Sequence, residues 1–136
     1  MVDNLDPLDG FSNNLAFSGI DWLMVPDTTG VYVIYDREEV LYVGMAGRDR
    51  GGSLRRRLKD HATGQVVNMF AQYLFLARVQ FMTPDRVAHP RDAKAACRAY
   101  IQERCSLRYR SFSSAAEARL VEVNLKQKLS PALNAG

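Results

Sequence analysis

Residues 31–35 and 40–43 form two short runs of β-branched and aromatic residues, which predict two strands. The charged segment DREE lies between them and is typical of a hairpin connection. Gly30 and Gly44 bracket the pair. The pattern therefore predicts a β-hairpin early in the chain.

The two tyrosines of this hairpin, Tyr32 and Tyr42, are ten residues apart. They share a face of the sheet only if the connecting loop has an odd number of residues, for instance residues 37–39. Tyr32 would then lie opposite Gly44, whose missing side chain leaves a hollow, and Tyr42 opposite Ile34. Two strand tyrosines taken alone are more often packing residues than reagents.

A helix follows the hairpin, and Ser53 is a suitable N-cap for it. It is predicted to run from Leu54 to about Ala62, and its spacing places Arg57 and His61 at the flanks of the apolar stripe. That stripe consists of Leu54, Leu58 and Ala62.

The last helix has equally clear limits. Ser114 and Glu117 form an S-x-x-E capping box, and the helix is predicted to end near Leu129 because Pro131 stops further winding. Its apolar stripe consists of Ala118, Val121, Leu125 and Leu129.

Two carboxylates on this helix are candidates for chemistry. Glu117 has a structural explanation in the capping box, where it accepts a backbone N–H. Glu122 lies at the border of the apolar stripe, where a carboxylate needs a partner. An ion pair with Lys126, four residues on, would explain an exposed glutamate but not one facing the core.

Residues 64–105 are harder to interpret. The run NMFAQYLFLARVQF is apolar at too many positions to separate a buried helix from a strand, and we expect a helix. The run RDAKAACRAYIQERC predicts a helix with Ala96, Tyr100 and Ile101 along one side. After it, LRYRSF alternates apolar and basic residues as an edge strand would.

Charge is distributed unevenly along the chain. Residues 1–39 hold eight acids and one base, whereas residues 40–136 hold seven acids and seventeen bases. Residues 1–28 are acidic and loop-like, and we expect an arm or cap packed by Trp22 and Leu23. The basic remainder suits a polyanionic partner.

The densest basic run is RDRGGSLRRRLKD, with six bases and two acids. A run of this kind is often only a solvated helix face. The candidate nucleic-acid-binding residues of this run are Arg48, Arg50, Arg55, Arg56 and Lys59. Asn134, near the end of the chain, is a further candidate.

The chain has 136 residues and 47% hydrophobic content, which fits one domain with its own core. Its two cysteines, the absence of a secretion-like start and the absence of a long apolar run predict a soluble, reduced, cytoplasmic protein.

Several of these segments, in their order, resemble the motifs of the GIY-YIG nuclease superfamily. GVY and YVG resemble the GIY and YIG elements, and LRRRLKDH is similar to the family's first helix, with Arg57 and His61 at its motif positions. EVNLKQKLSPALN resembles the closing segment, with the metal-binding glutamate at Glu122 and the terminal asparagine at Asn134. The spacing of these two is especially similar to that in the nuclease domain of bacterial excision-repair incision subunits.

The resemblance covers residues 25–64 and 106–134, so residues 64–105 would be a helical insertion in a single nuclease domain. One departure is Met45, where several relatives carry a lysine; Arg48 or Arg50 could supply the missing charge. The implied fold is α+β (α/β in the broad sense), with a small, three-stranded, largely antiparallel sheet flanked by helices. The active site would spread over one sheet face.

The resemblance also implies roles for five residues. Tyr32 would position or deprotonate the attacking water, for which its pKa must be lowered by a nearby cation, and Tyr42 would hold that water or the phosphate. Arg57 would stabilise transition-state charge, and His61 would act as acid, base or phosphate contact. Glu122 would bind one divalent cation, Mg²⁺ or Mn²⁺.

These roles imply an endonuclease that hydrolyses phosphodiester bonds in nucleic acid, with DNA as the expected substrate and a homodimer mate or targeting partner as an open possibility. Two other functions remain open. One is a nucleic-acid-binding module that kept the scaffold and lost turnover, which Met45 alone favours. The other is a protein-interaction domain with a basic surface.

Overall fold

A computed structural model describes residues 6–47, 52–64, 69–82 and 90–133. Within these residues the chain forms one antiparallel sheet in the strand order β1-β4-β2-β3. The strands are β1 (Leu15–Ala16), β2 (Gly30–Asp36), β3 (Glu39–Ala46) and β4 (Cys105–Ser111). The fold is therefore α+β, as expected.

The prediction of three strands is wrong, because two residues of the N-terminal arm pair with β4 at Leu107 and Ser106. The prediction that LRYRSF is an edge strand is wrong for the same reason, since β4 lies between β1 and β2. The N-terminal arm also pairs with β4 beyond β1, because the backbone N–H of Ser12 donates to the carbonyl of Tyr109 at 2.7 Å. A strand this short carries no alternation that a sequence could reveal.

The register of the hairpin is the one predicted, with Tyr32 opposite Gly44 and Ile34 opposite Tyr42. The predicted three-residue loop is wrong. Asp36 pairs with Glu39 across a two-residue turn, and the odd residue is instead a β-bulge at position 41 of β3. A bulge has the same effect on side-chain parity as an odd loop, so both tyrosines still share one face.

The helices follow the predicted limits closely. Helix α1 is Leu54–Ala62, and the Ser53 side chain caps it by accepting from the backbone N–H of Arg56. Helix α2 begins at Met69–Leu74, continues as a π-helix over Phe75–Val79 and ends with Gln80–Met82. Helix α3 is Pro90–Arg104 and helix α4 is Ala115–Leu129. The expected helix in the NMFAQYLFLARVQF run is confirmed.

Apolar side chains form a separate cluster on each face of the sheet. The first cluster joins Tyr32 and Ile34 to α1, α2 and α3. The second joins Val31 and Val43 to the Ala118 and Leu125 stripe of α4 and to the N-terminal arm. In that arm Trp22 packs against the first cluster, but Leu23 is 79% exposed, so its predicted packing role is wrong.

The middle segment is held to the hairpin by a polar cluster around Asp36. This buried carboxylate accepts hydrogen bonds from Arg78 Nη1 at 3.1 Å, from Arg104 Nε at 3.1 Å and from the Tyr100 hydroxyl. Arg78 also pairs with Glu39 at 2.7 Å. Arg78 belongs to the π-helical turn, and from there its guanidinium contacts both Asp36 at the end of β2 and Glu39 at the start of β3.

In the described part of the chain no helix is both long and apolar enough to cross a membrane.

Candidate functional site

The hairpin places two phenols side by side. The rings of Tyr32 and Tyr42 are stacked with their centroids 6.3 Å apart and 27° between their planes. Gly44 forms the predicted hollow: a Cβ at this position would overlap the phenol of Tyr32. Tyr32 is buried and Tyr42 is partly exposed, so only the second ring meets solvent directly.

His61 reaches this pair from α1. Its Nε2 lies 2.6 Å from the Tyr32 hydroxyl, a short hydrogen bond between two buried groups. The prediction put His61 at the flank of the apolar stripe, whereas the residue is only 3% exposed. The last turn of α1 packs its imidazole against both tyrosines, with ring centroids 5.3 Å from Tyr32 and 5.8 Å from Tyr42.

Helix α2 contributes two aromatic residues, Phe70 and Tyr73, that the sequence analysis did not predict to lie near the tyrosines. The Phe70 ring contacts Tyr42 at a centroid distance of 5.3 Å and His61 at 5.2 Å. Tyr73 lies close enough to raise the pKa of Tyr42. Phe70, Tyr73 and Leu74 recur at helical spacing, and that signal could have indicated a site-facing stripe. The middle segment thus completes an aromatic cluster around His61.

Burial controls the acidity of the two phenols. Desolvation raises the pKa of Tyr32 well above its usual value, and the neighbouring Tyr42 and Glu122 raise that pKa further. Arg57 lowers the pKa of both tyrosines, as a nearby cation should, but its effect is smaller than that of desolvation. The expected low-pKa phenol is therefore not found, and Tyr32 stays protonated at neutral pH in this arrangement.

The basic residues of α1 separate into two groups. Arg57 is exposed, and its charge lowers the pKa of both phenols, so this residue lies at the surface near the two tyrosines. Arg56 and Lys59 are also exposed. Arg55 instead donates to the carbonyl of Val25 at 2.9 Å, which ties the N-terminal arm to α1 and gives this candidate residue a structural role.

Glu122 is buried, with 6% of its surface exposed, and its charge raises the pKa of both Tyr32 and Tyr42. The apolar stripe of α4 packs on the sheet face opposite the phenols, through Ala118 and Leu125. Lys126 Nζ lies 3.7 Å from Glu122 Oε2. The ion pair considered from the sequence is present, but it joins Lys126 to a buried carboxylate.

Glu117 is exposed at the start of α4. Its backbone N–H donates to the Ser114 hydroxyl at 3.2 Å, which is one half of the predicted capping box. Its carboxylate accepts from the Ser113 hydroxyl at 3.2 Å. Glu117 therefore has a structural role at the start of the helix, but its carboxylate accepts from the Ser113 hydroxyl and not from the backbone N–H that the capping box predicted.

Among the described residues no group of three His, Cys, Asp or Glu side chains could hold a metal ion. Mg²⁺ is commonly held by one or two carboxylates and completes its shell with water and substrate phosphate. Glu122 is a carboxylate whose charge acts on both phenols, and it would be the protein ligand of such an ion if Lys126 gave way.

Met45 and the segment after α4 do not belong to this group of side chains. Met45 is 6% exposed and packs in the second apolar cluster with Val31 and Val43, so this position supplies no charge. The segment after α4 runs along the outer edge of β3, where the N–H of Leu133 donates to the carbonyl of Leu41 at 2.8 Å. The remaining candidate residues, Arg48, Arg50 and Asn134, lie outside the described residues.

The assembled groups are a phenol bonded to an imidazole, a second phenol open to solvent, an exposed guanidinium and a buried carboxylate. Such a set can move a proton and bind an anion. Comparison with protein-family models and with curated proteins gives no match for this chain. The resemblance to the GIY-YIG superfamily therefore rests on the motif residues in the sequence.

Proposed function

We propose that this protein is a metal-dependent endonuclease of the GIY-YIG type that hydrolyses phosphodiester bonds in DNA. One observation carries the proposal. Two residues from separate parts of the chain, Arg57 and Glu122, both act electrostatically on the phenols of Tyr32 and Tyr42. Arg57 and Glu122 thus both lie within electrostatic reach of the same two phenols, one of which is hydrogen-bonded to His61, as a shared active site requires.

The Tyr32–His61 contact supports a proton relay. With Nε2 of His61 unprotonated, the Tyr32 hydroxyl donates to it across 2.6 Å. The phenol then takes a proton from the attacking water as it gives its own to the imidazole. Because burial raises the pKa of Tyr32, a separate phenolate is unfavourable, and the two proton transfers would have to be coupled. Tyr42, which is partly exposed, holds the water or a phosphate oxygen.

Arg57 is suited to the charge that develops on the phosphate. Its exposed guanidinium offers two parallel N–H donors to two phosphate oxygens, which a lysine does not. Glu122 would hold Mg²⁺ or Mn²⁺, and the bound cation supplies charge neutralisation for the phosphate oxygens. Lys126 would then be released from Glu122 and become available to the substrate.

A nucleic-acid-binding module without turnover is the alternative, and two observations favour it. Met45 packs in an apolar cluster where several relatives carry a lysine. Lys126 already pairs with the one carboxylate that would bind a metal. The two buried free cysteines, Cys97 and Cys105, agree with a reducing cytoplasm under either function.

The deciding experiment is cleavage of labelled single-stranded, duplex and branched DNA, with RNA alongside, at low salt with Mg²⁺, Mn²⁺ or EDTA. We expect metal-dependent cleavage by the wild type and its loss in Glu122→Gln, with folding and nucleic-acid binding retained. Glu117→Gln is the matched control on the same helix and should cleave at the wild-type rate. Equal cleavage by wild type and Glu122→Gln would refute the site, and binding without cleavage would select the alternative.

Arg57→Lys separates charge from geometry. Because the proposed role needs two parallel donors, we expect this variant to bind DNA but to lose at least about tenfold in cleavage rate. A fully active lysine variant would rule out the bidentate role.

A further inference from the structure

A basic stripe runs along the outer face of α3, away from the phenols. Arg91, Lys94 and Arg98 line one shallow groove there, together with Ala95, Ala99 and Gln102. The opposite side of this helix is buried in the first apolar cluster through Cys97, Tyr100 and Ile101. The stripe is thus fixed in place by the core.

The stripe is strongly positive. The acidic residues of α3, Asp92 and Glu103, do not line the groove. Within the described part of the chain, neither Lys94 nor Arg98 forms an ion pair. These cations therefore keep their charge toward solvent.

The stripe adjoins the helix that carries Arg57 and His61. Gly64 follows the end of α1, and a Cβ added there would lie 2.6 Å from the backbone nitrogen of Arg98 and 2.7 Å from the carbonyl oxygen of Lys94. Only a glycine permits this approach, in which φ is +72°. The turn at the end of α1 therefore lies directly against the backbone of α3 at Lys94 and Arg98.

We propose that this stripe of α3 binds the phosphate backbone of a DNA duplex, beyond the bond that is cut. The inference rests on the proposed function for its substrate class and extends it to the middle segment. At 1.5 Å per residue the stripe from Arg91 to Arg98 is about 10 Å long. That length corresponds to about three phosphates of one strand.

The groove composition favours a phosphate backbone over an acidic protein. Protein interfaces obtain most of their binding energy from buried aromatic and other large anchors. This groove is lined by cations, alanines and one glutamine. The alanines leave room for a backbone to approach, and cations such as Lys94 and Arg98 bind phosphate oxygens whatever the base sequence.

The test compares the double variant Lys94→Gln/Arg98→Gln with wild type in binding to a fluorescent 30-base-pair duplex. Binding is measured by anisotropy in EDTA between 50 and 300 mM salt, so cleavage does not interfere. Loss of two phosphate contacts should weaken binding at least about tenfold at 0.1 M salt and reduce the salt slope by about 2. The control variant Arg119→Gln/Lys128→Gln removes two exposed charges from α4 and should bind as wild type.

Unchanged affinity and slope in the α3 variant would overturn the proposal, and so would an equal effect of the control variant. Binding of a fluorescent acidic peptide that is lost in the α3 variant, with no binding of the duplex to wild type, would assign the stripe to a protein partner and would also overturn the proposal. A failure of the nuclease proposal can be told apart from a failure of this one. If the protein is not a nuclease, no metal-dependent cleavage is observed, while the charge-dependent binding of the duplex to α3 persists.

Discussion

The Asp36→Asn substitution tests whether the polar cluster between the hairpin and the middle segment stabilises the fold. Asp36 is 4% exposed and accepts hydrogen bonds from Arg78, Arg104 and Tyr100. Asparagine keeps the shape of the side chain but removes its charge. Two guanidiniums then lose their shared counterion, and Arg78 keeps only Glu39.

The expected cost follows from the burial of each partner. Breaking a fully buried ion pair by removing one member costs about 3–5 kcal/mol. The side chains of Arg78 and Arg104 are 26% and 27% exposed, so water recovers part of that loss. We therefore expect the free energy of unfolding to fall by about 2–3 kcal/mol at pH 7.

The pH dependence gives an independent check. Burial raises the pKa of Asp36, but the hydrogen bonds from Tyr100 and Arg104 and the charges of Arg104 and Arg78 lower that pKa below its ordinary value. A carboxyl with a lowered pKa stabilises the folded state fully above its unfolded pKa, near 3.9. This stabilisation is lost as the pH falls through the lowered pKa, so the difference between wild type and variant should shrink in acid.

The assay is urea unfolding followed by circular dichroism at several pH values between 3 and 7. Asp27→Asn serves as the control, because Asp27 is exposed and its neutralisation should cost little. A loss below about 0.5 kcal/mol in Asp36→Asn at pH 7, or a loss independent of pH, would refute the reasoning.

Two further predictions concern the hollow and the thiols. Gly44→Ala should cost about 1–3 kcal/mol and slow cleavage about 100-fold, because the new Cβ overlaps the phenol of Tyr32 and displaces it from His61. Urea unfolding measures the loss of stability, and cleavage rates measure the loss of activity. Gly19→Ala is the control and should be neutral, because a Cβ at Gly19 meets nothing within 4 Å. A fully active Gly44→Ala variant would contradict the packing argument. Burial raises the pKa of Cys97 to about 11, and burial together with the charge of Asp36 raises that of Cys105 to about 12. Both thiols should therefore react with iodoacetamide at pH 8 about 100-fold more slowly in the folded protein than in urea, as mass spectrometry would measure; rapid labelling of the folded protein would show that they are not buried.

Local signals in the sequence were sufficient for several elements. The capping serines 53 and 114 define the starts of α1 and α4 because a side-chain oxygen and the N–H groups it binds are neighbours in the chain. The face shared by Tyr32 and Tyr42 was also predictable, since side chains alternate along a strand. The bulge that produces this register has no local signature in the sequence.

Other features depended on contacts between distant residues. Pairing of Leu15 with Leu107, the packing of Phe70 against His61 and the burial of Asp36 each join segments whose proximity no local pattern encodes. The pKa of Tyr32 is a further example. The resemblance predicted a cation that would lower this pKa, but only the packed structure shows that desolvation raises it by more than Arg57 lowers it. The sequence by itself thus determined the hairpin and the helix limits, because these depend on neighbours in the chain. Tertiary structure decided burial, pKa and the aromatic contacts of His61, because these depend on what the rest of the chain packs against each residue.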